Sequence, residues 1–428
     1  MQGKDILEYT LEQLKAKGVD KVQCMISNSE KKELNIDAGE MSLFRTTFNT
    51  SLGITVYKDG KKGSTSINKT DKNSIDDIIG EVLTLAESSQ PDSAYDIAEH
   101  QEPRSFFCGN DTSDMDTMFD RLSEFLEYTK STYPKVILEQ AIMDFTHRHG
   151  YFMNSNGVDF ELDKGMYGFS PMFTSKDGLN TSSFNYSGFV SRELKKPLHE
   201  YASIDRLLRE SEEQVITSPV PGKFIGDIIV TPDCLDEFVG EVLGYVTDMP
   251  MITGRSIYKD KLNEAIADSR FTLHSKPLGD EIESKSYITS DGYAAENFTY
   301  IDKGVLKSFL LGIYGANKTG HSRSVNDGNA HVVEAGDVSL ENMIKSVKKG
   351  VVLARFSGGN PSDNGDFSGV AKNSYFVENG EVKYPISETM ISGNISEMMR
   401  SIVDISKERV DFGNGIYPWV QFNGLTIF

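Results

Sequence analysis

Residues 365–394 read GDFSGVAKNSYFVENGEVKYPISETMISGN, and this stretch sets the interpretation of the carboxyl-terminal half of the chain. The apolar run NSYFV leads into Glu378-Asn379-Gly380, and Asn-Gly steps favour the tight turns that join antiparallel strands. Another apolar run, VVLARF, precedes the segment. The succession of short apolar runs and turns predicts a mainly antiparallel sheet in this part of the chain.

A loop rich in glycine, residues 357–369 (SGGNPSDNGDFSG), joins the two apolar runs. It lacks the Gly-Lys-Ser/Thr end of a phosphate-binding loop, and Asp366 would repel a phosphate. A dinucleotide loop lies between a strand and a helix, whereas strands are expected on both sides here. The spacing of its acids does not match a calcium loop. We therefore predict an ordered connection between strands.

The rest of the chain predicts an α+β protein of three units. Residues 1–105 form a small α/β domain, and prolines and scattered polar residues over 88–114 indicate a linker. Residues 106–217 are predicted to be an antiparallel meander with helices. After the break SPVPG, residues 218–428 are predicted to form a large, mainly antiparallel β domain with flanking helices.

The third unit opens with KFIGDIIVTPDCLDEFVGEVL, residues 223–243, which predicts a strand followed by a helix. Thr231 is suited to the N-cap and Pro232 to the first helical position, while Asp233 faces the positive end of the helix dipole. Apolar residues recur on one face of this helix and acids fill the other. That stripe comprises Leu235, Phe238, Val239, Val242, Leu243 and Val246.

Composition excludes several classes of function. The net charge of −20 argues against direct nucleic-acid binding, because such binding depends on neutralising phosphates. No apolar run is long enough to span a membrane, and the amino terminus lacks the pattern of a secretory signal. Three widely spaced cysteines fit reduced thiols in a cytoplasm, with Cys24 and Cys234 as core residues.

Two histidine motifs are candidate metal sites. His199-Glu200 begins like a zinc-peptidase helix, but Ser203 and Ile204 stand where the second histidine would be needed. His147 and His149 share one face of a predicted strand and could chelate a metal, although the sequence offers no third ligand.

The long segment quoted first resembles the signature region of the TldD/PmbA family, whose members are also described as modulators of DNA gyrase. KFIGDIIVTPDCLDEFVGEVL, FTYIDKGVLKSFLLGIYGANKTG and the final FNGLTIF are similar to further blocks of that family. The resemblance covers essentially the whole chain, and GDFS, ENGE, YP and SGN occur in the expected order.

The resemblance implies one of two kinds of chain. TldD-like chains carry H-E-x-x-x-H and a late cysteine that bind zinc for peptide hydrolysis, whereas PmbA-like (TldE-like) chains lack those ligands and pair with a TldD-like chain. Here Asp236 and Glu241 take the two histidine positions and Glu237 that of the catalytic glutamate, and no cysteine follows Cys234. Zinc prefers imidazole and thiolate. We therefore expect a PmbA-like subunit without a metal of its own, with zinc in its partner.

Several expectations follow from the resemblance. The chain would help enclose a chamber for small or unfolded peptides, either with a TldD-like partner or with a second copy of itself. Asp366, Phe367 and Ser368 are predicted to contribute to the chamber wall. Two alternatives stay open: an autonomous metallopeptidase with unusual ligands such as His147 and His149, and a gyrase-binding modulator without protease activity.

Overall fold

The computed structural model describes residues 3–428, and over this range the chain is α+β as predicted, with nine helices and two large sheets. The helices are α1 Lys4–Ala16, α2 Lys72–Ser88, α3 Met115–Thr132, α4 Ile204–Glu213, α5 Pro232–Gly244, α6 Asp248–Ile252, α7 Ile313–Thr319, α8 Leu340–Ser346 and α9 Ile395–Arg400. No helix within this range is long and apolar enough to cross a membrane.

The first sheet has the order β3-β2-β1-β5-β6-β4, with three short strands paired to β6. Its strands are β1 Lys21–Asp37, β2 Glu40–Lys58, β3 Lys61–Ile67, β4 Arg104–Cys108, β5 Val136–Asn154, β6 Asp159–Asp177, β7 Asn180–Thr181, β8 Asn185–Tyr186 and β9 Phe189–Ser191. β1 pairs with β5 from Gln23 to Asp37. The predicted first and middle units therefore share one sheet.

Strand β4 lies within residues 88–114, where the sequence indicated only a linker. It runs parallel to β6, and its Phe106 ring contacts Phe160 with ring centroids 5.6 Å apart. Phe106 also stacks on Tyr287 of the third unit at 4.9 Å. The linker prediction was wrong here because a five-residue strand between polar and proline-rich segments has almost no periodic signal of its own.

Two pairs of helices lie side by side on one face of the first sheet. Helices α1 and α2 pack over the half of the sheet that holds Cys24, and α3 and α4 pack over the half that holds Phe145. All three cysteines of the chain are buried free thiols, and Cys24 and Cys234 lie in apolar cores as predicted.

The second sheet has the order β13-β12-β11-β14-β22-β10-β15-β18-β19, with four further strands joined to it. Most of its pairs are antiparallel, and β10–β15 and β14–β22 are parallel. The predicted hairpin is present, since Glu378 pairs with Glu381 across Asn379-Gly380. Its strands are β10 Phe224–Val230, β11 Leu273–Ser275, β12 Phe298–Asp302, β13 Val305–Leu306, β14 His331–Val333, β15 Lys349–Leu353, β16 Arg355–Ser357, β17 Asp366–Lys372, β18 Tyr375–Glu378, β19 Glu381–Pro385, β20 Thr389–Asn394, β21 Ile402–Asp411 and β22 Ile416–Ile427.

Candidate functional site

Helix α5 begins at the predicted residue and buries the predicted face, but the expected side-chain cap from Thr231 is not formed. Thr231 has an extended backbone at the N-cap and Pro232 is the first helical residue. The Thr231 hydroxyl donates to the Ala354 carbonyl instead of capping the helix. The apolar stripe is buried in the core of the third unit. Asp236, Glu237 and Glu241 consequently lie on the outward side of α5.

Asp236 is bound by two residues from distant strands. The Tyr417 hydroxyl on β22 donates to its carboxylate. His331 on β14 places Nδ1 3.5 Å from the same carboxylate oxygen and 3.1 Å from the Tyr417 hydroxyl. The other ring nitrogen lies 2.8 Å from the Gly328 carbonyl oxygen, which can only accept. Nε2 of His331 therefore carries a proton and Nδ1 faces the Asp236–Tyr417 pair.

This arrangement favours the ionised form of Asp236. Partial burial raises its pKa, but the hydrogen bonds from His331 and Tyr417 outweigh burial and leave the pKa lowered. The pKa of Tyr417 is raised, first by burial and then by the charge of Asp236 and the hydrogen bond to it. The geometry thus holds the Asp236 carboxylate in place in the amino-terminal half of α5, where it can accept a further hydrogen bond or attract a cation.

Glu237 and Glu241 complete the acidic face of α5. Burial raises the pKa of Glu237, and Arg355 partly opposes the shift. Burial also raises the pKa of Glu241. The carboxylate oxygens of Asp236, Glu237 and Glu241 do not all lie within 4.8 Å of one another. An all-carboxylate set with one member bound to a tyrosine and a histidine therefore does not fit zinc, which prefers imidazole and thiolate ligands.

A cavity of about 500 Å³ opens beside Asp236. One side is formed by the first turn of α5, and another by the loop that leads to His331. Asp233 in this wall is bound to the Arg206 guanidinium of α4, which also contacts Glu210 at 3.1 Å. This partly buried ion-pair cluster fixes α4 of the middle unit against the start of α5. The further lining residues are Tyr186, Ser187, Gly188, Pro232, Gly328, Asn329, Ala330, Phe412, Asn414 and Tyr417.

The predicted wall residues lie near the opposite end of α5. Phe367 is 4% exposed and its ring contacts that of Phe238 on α5, with centroids 5.9 Å apart. Asp366 is exposed and accepts hydrogen bonds from Asn364 at 2.8 Å and Asn394 at 2.9 Å. Ser368 is exposed on β17. Their contribution to a peptide chamber stays a prediction.

His147 and His149 do share one face of a strand, as predicted, but they contact different acids. His147 Nε2 lies 2.8 Å from Asp163, and His149 Nε2 lies 3.1 Å from Glu161. The triplet whose ligand atoms lie within 4.8 Å of one another is Asp111, His147 and Asp163. The structure therefore brings to His147 two carboxylates that the sequence did not indicate, and His149 is not part of that group.

Sequence reasoning did not identify His331 and Tyr417. They contact Asp236 across separations of 95 and 181 residues, which no local pattern can reveal. The one available signal is that His331 lies two positions after the turn-forming run NDGN and begins an apolar strand. A histidine at such a strand entry is well placed to reach a neighbouring helix.

Two segments of the chain match domains of a metallopeptidase family. Residues 221–428 match the PmbA/TldA metallopeptidase C-terminal domain, and residues 24–86 match PmbA/TldA metallopeptidase domain 1. Together the two matches cover more than half of the chain. The chain belongs to the TldD/PmbA family, which confirms the resemblance seen in its sequence.

Curated relatives include metalloproteases of both kinds. A zinc metalloprotease TldD homologue of Saccharolobus solfataricus is 28% identical over 52% of this chain and 53% of its own length. This chain thus spans about half of that relative. Metalloprotease PmbA of Escherichia coli O157:H7 is 24% identical over 90% of this chain and 88% of its own length.

Solved structures share the complete fold. TldE from Thermococcus kodakarensis superposes with a TM-score of 0.85 at 18% identity, covering 99% of both chains. A putative modulator of DNA gyrase from Bacteroides thetaiotaomicron gives a TM-score of 0.89 at 20% identity, covering 99% of this chain and 98% of the other. At these identities the likeness concerns the fold alone.

Proposed function

We propose that the chain is a PmbA-like (TldE-like) subunit of a TldD/PmbA-type zinc metallopeptidase that degrades or processes small or unfolded peptides. The observation that carries the proposal is the outer face of α5, where Asp236, Glu237 and Glu241 lie at the positions that the family resemblance assigns to the metal-binding motif. Asp236 is bound to Tyr417 and His331. Helix α5 itself supplies no imidazole or thiolate, the ligands that zinc prefers, on this face.

The division of labour within the proposed complex follows from this chemistry. A TldD-like partner supplies the zinc and its bound water, and this chain supplies part of the chamber and of the dimer interface. The acidic cleft at Asp236 attracts cationic groups, including the free amino end of a peptide. We place the complex in the cytoplasm, and the net charge of −20 supports protein and peptide partners over direct nucleic-acid contact.

Peptide hydrolysis by separated and mixed subunits tests this proposal. The purified chain, a TldD-like chain encoded in the same genome and their mixture are each assayed on unfolded peptides, with and without a chelator. We expect hydrolysis by the mixture and none by this chain, and we expect Glu237→Gln to leave turnover by the mixture within twofold. Chelator-sensitive hydrolysis by this chain alone, lost in Glu237→Gln, would overturn the proposal.

An autonomous metallopeptidase is the second candidate, and the cluster of Asp111, His147 and Asp163 is the observation in its favour. Two carboxylates and one imidazole form a donor set that first-row divalent metals accept. His147→Ala would then abolish hydrolysis by the isolated chain, and His149→Ala, which changes a neighbouring histidine outside the cluster, would preserve it. Absence of hydrolysis by the unaltered chain at added zinc would dismiss this candidate.

A gyrase-binding role is supported by the description of a structural neighbour as a putative modulator of DNA gyrase. Because the charge of this chain opposes DNA contact, that role requires a direct protein interface. Co-purification of gyrase with the tagged chain, in the absence of any TldD-like partner, is the result expected of it. Capture of a TldD-like chain without gyrase would speak for the peptidase subunit.

A further inference from the structure

A second cavity, of about 580 Å³, lies between the first sheet and the segment 285–290 of the third unit. Its volume falls within the range of small-ligand pockets. Three cations line it, Arg148 on β5, Lys164 on β6 and Lys285, against one carboxylate, Asp327. In a chain with a net charge of −20, a cavity with an excess of positive charge is unusual.

Arg148 and Lys164 stand directly opposite each other on adjacent antiparallel strands. Directly opposed residues share one face of a sheet, and like charges in that position destabilise the pair. Within residues 3–428, neither side chain has a nitrogen within 4 Å of a carboxylate oxygen. Lys164 Nζ instead donates to the Ser284 hydroxyl at 2.9 Å and to the Lys285 carbonyl at 2.6 Å.

Lys285 is also bound to neutral groups only. Its side chain is nearly buried at 9% exposure, and its ammonium donates to the carbonyls of Leu278 and Gly279. Buried lysines are rare unless a negative charge accompanies them. The one acid of the cavity, Asp327, accepts from the Ser290 amide at 2.9 Å and from its hydroxyl at 3.1 Å.

Two partly buried arginines elsewhere in the molecule are matched by acids. Arg206 contacts Asp233 and Glu210, and Arg192 contacts Glu283 at 2.9 Å. The cations of the second cavity depart from this pattern. Burial lowers the pKa of Lys164, and the nearby charge of Arg148 lowers it further. An anion bound between Arg148 and Lys164 would reduce the repulsion between them and supply the negative charge that the cavity lacks.

We propose that this cavity binds a small carboxylate ligand, which under the proposed function is the terminal carboxylate of a short peptide. A guanidinium presents parallel donors that match a carboxylate, and Arg148 makes no hydrogen bond to the described part of the chain. The hydroxyls of Thr55 and Ser66 on the cavity wall offer further donors, and Phe152 offers an apolar contact. The peptide identity rests on the proposed function, and the carboxylate site does not.

Calorimetric titration of the full chain tests the proposal with three probes: N-acetyl-Ala-Ala with a free carboxylate, the same dipeptide as its amide, and inorganic phosphate. We expect the free acid to bind and the amide to bind at least tenfold more weakly. Arg148→Gln should weaken binding of the acid about tenfold, and added salt should weaken it because Arg148 is exposed. The control Lys176→Gln removes an exposed positive charge from strand β6, outside the cavity, and should leave binding unchanged.

Equal binding of acid and amide, or an unchanged affinity in Arg148→Gln, would overturn the proposal. Binding of phosphate without binding of the acid would overturn the carboxylate assignment. The outcome of this titration does not depend on the outcome of the peptide-hydrolysis assay. Acid binding that depends on Arg148 supports the cavity even if the mixed subunits hydrolyse nothing, and its absence from an active complex removes the cavity proposal alone.

Discussion

Replacing Phe367 by alanine separates a core role from a chamber role for the GDFS segment. Phe367 is 4% exposed, and its ring meets those of Phe238 and Phe356 edge-on at 5.9 and 5.7 Å. Removing a buried phenylalanine side chain costs about 3–5 kcal/mol. Two aromatic contacts of about 1 kcal/mol each are lost with it, so the upper part of that range is expected.

The assay is thermal unfolding of the third unit followed by near-ultraviolet circular dichroism. For a unit of this size each kcal/mol lowers the melting temperature by about 2–4 °C, so a loss of about 4–5 kcal/mol in Phe367→Ala should lower it by roughly 8–20 °C. The control is Phe428→Ala in the same unit, where the residue is 46% exposed and the expected change is within about 0.5 kcal/mol. A loss below about 1 kcal/mol for Phe367→Ala would refute its placement in the core.

Ser368→Ala supplies the complementary measurement, because this exposed side chain contributes little to the core. We expect an unchanged melting temperature. If the segment also lines the peptide chamber, turnover by the mixed subunits should fall severalfold in the same variant. Unchanged turnover would restrict the segment to a structural role.

Three further predictions concern other parts of the chain. The hydrogen bonds to Asp236 lower its pKa against the opposing effect of burial, so its stabilising contribution is present above the unfolded pKa of about 3.9 and is lost as the pH falls through the folded pKa. Urea unfolding should therefore show Asp236→Asn to be less stable than the unaltered chain at pH 7, with the difference shrinking at roughly pH 3; a constant difference would contradict this. Gly109→Ala would place Cβ 1.8 Å from the Gly165 carbonyl oxygen and should lower the melting temperature several times more than Gly178→Ala, which meets no atom within 4 Å and costs about 1–2 kcal/mol through its positive φ. The thiols of Cys24, Cys108 and Cys234 are all buried, so Ellman's reagent should label none of them in the native chain within minutes and all of them after denaturation. Rapid labelling of the native chain would show that a thiol is accessible.

Local signals predicted the elements that depend on neighbours in sequence. The cap, proline and apolar stripe placed α5 at Pro232, and Asn379-Gly380 placed the hairpin of β18 and β19. Pairing between distant segments was beyond these signals. The long β1–β5 ladder, which unites two predicted units, depends on which edges of two separate hairpins meet. Turn chemistry says nothing about that choice.

The same division between local and distant contacts applies to the candidate site. The resemblance located Asp236, Glu237 and Glu241, and periodicity placed them on the outward side of the helix. The partners of Asp236 come from β14 and β22, which reach it through the folding of the second sheet. The sequence therefore predicted where the acids of the site lie, but not the hydrogen bonds that favour the ionised form of Asp236.

The two faces of α5 contribute very unequally to its stability, and this difference explains how the fold accommodates acids on the outer face. Each large apolar residue of the inner stripe contributes about 1.5–3 kcal/mol on burial. On the outer face, like charges one turn apart, such as Glu237 and Glu241, cost only about 0.2–0.5 kcal/mol. The Asp236 side chain is 61% exposed, so solvent screens its charge as well. Because the inner face dominates the stability of the helix, the outer face can exchange ligands for acids without loss of the fold. Membership of the family therefore carries no catalytic conclusion for this chain, and the conclusion has to come from the residues on the outer face.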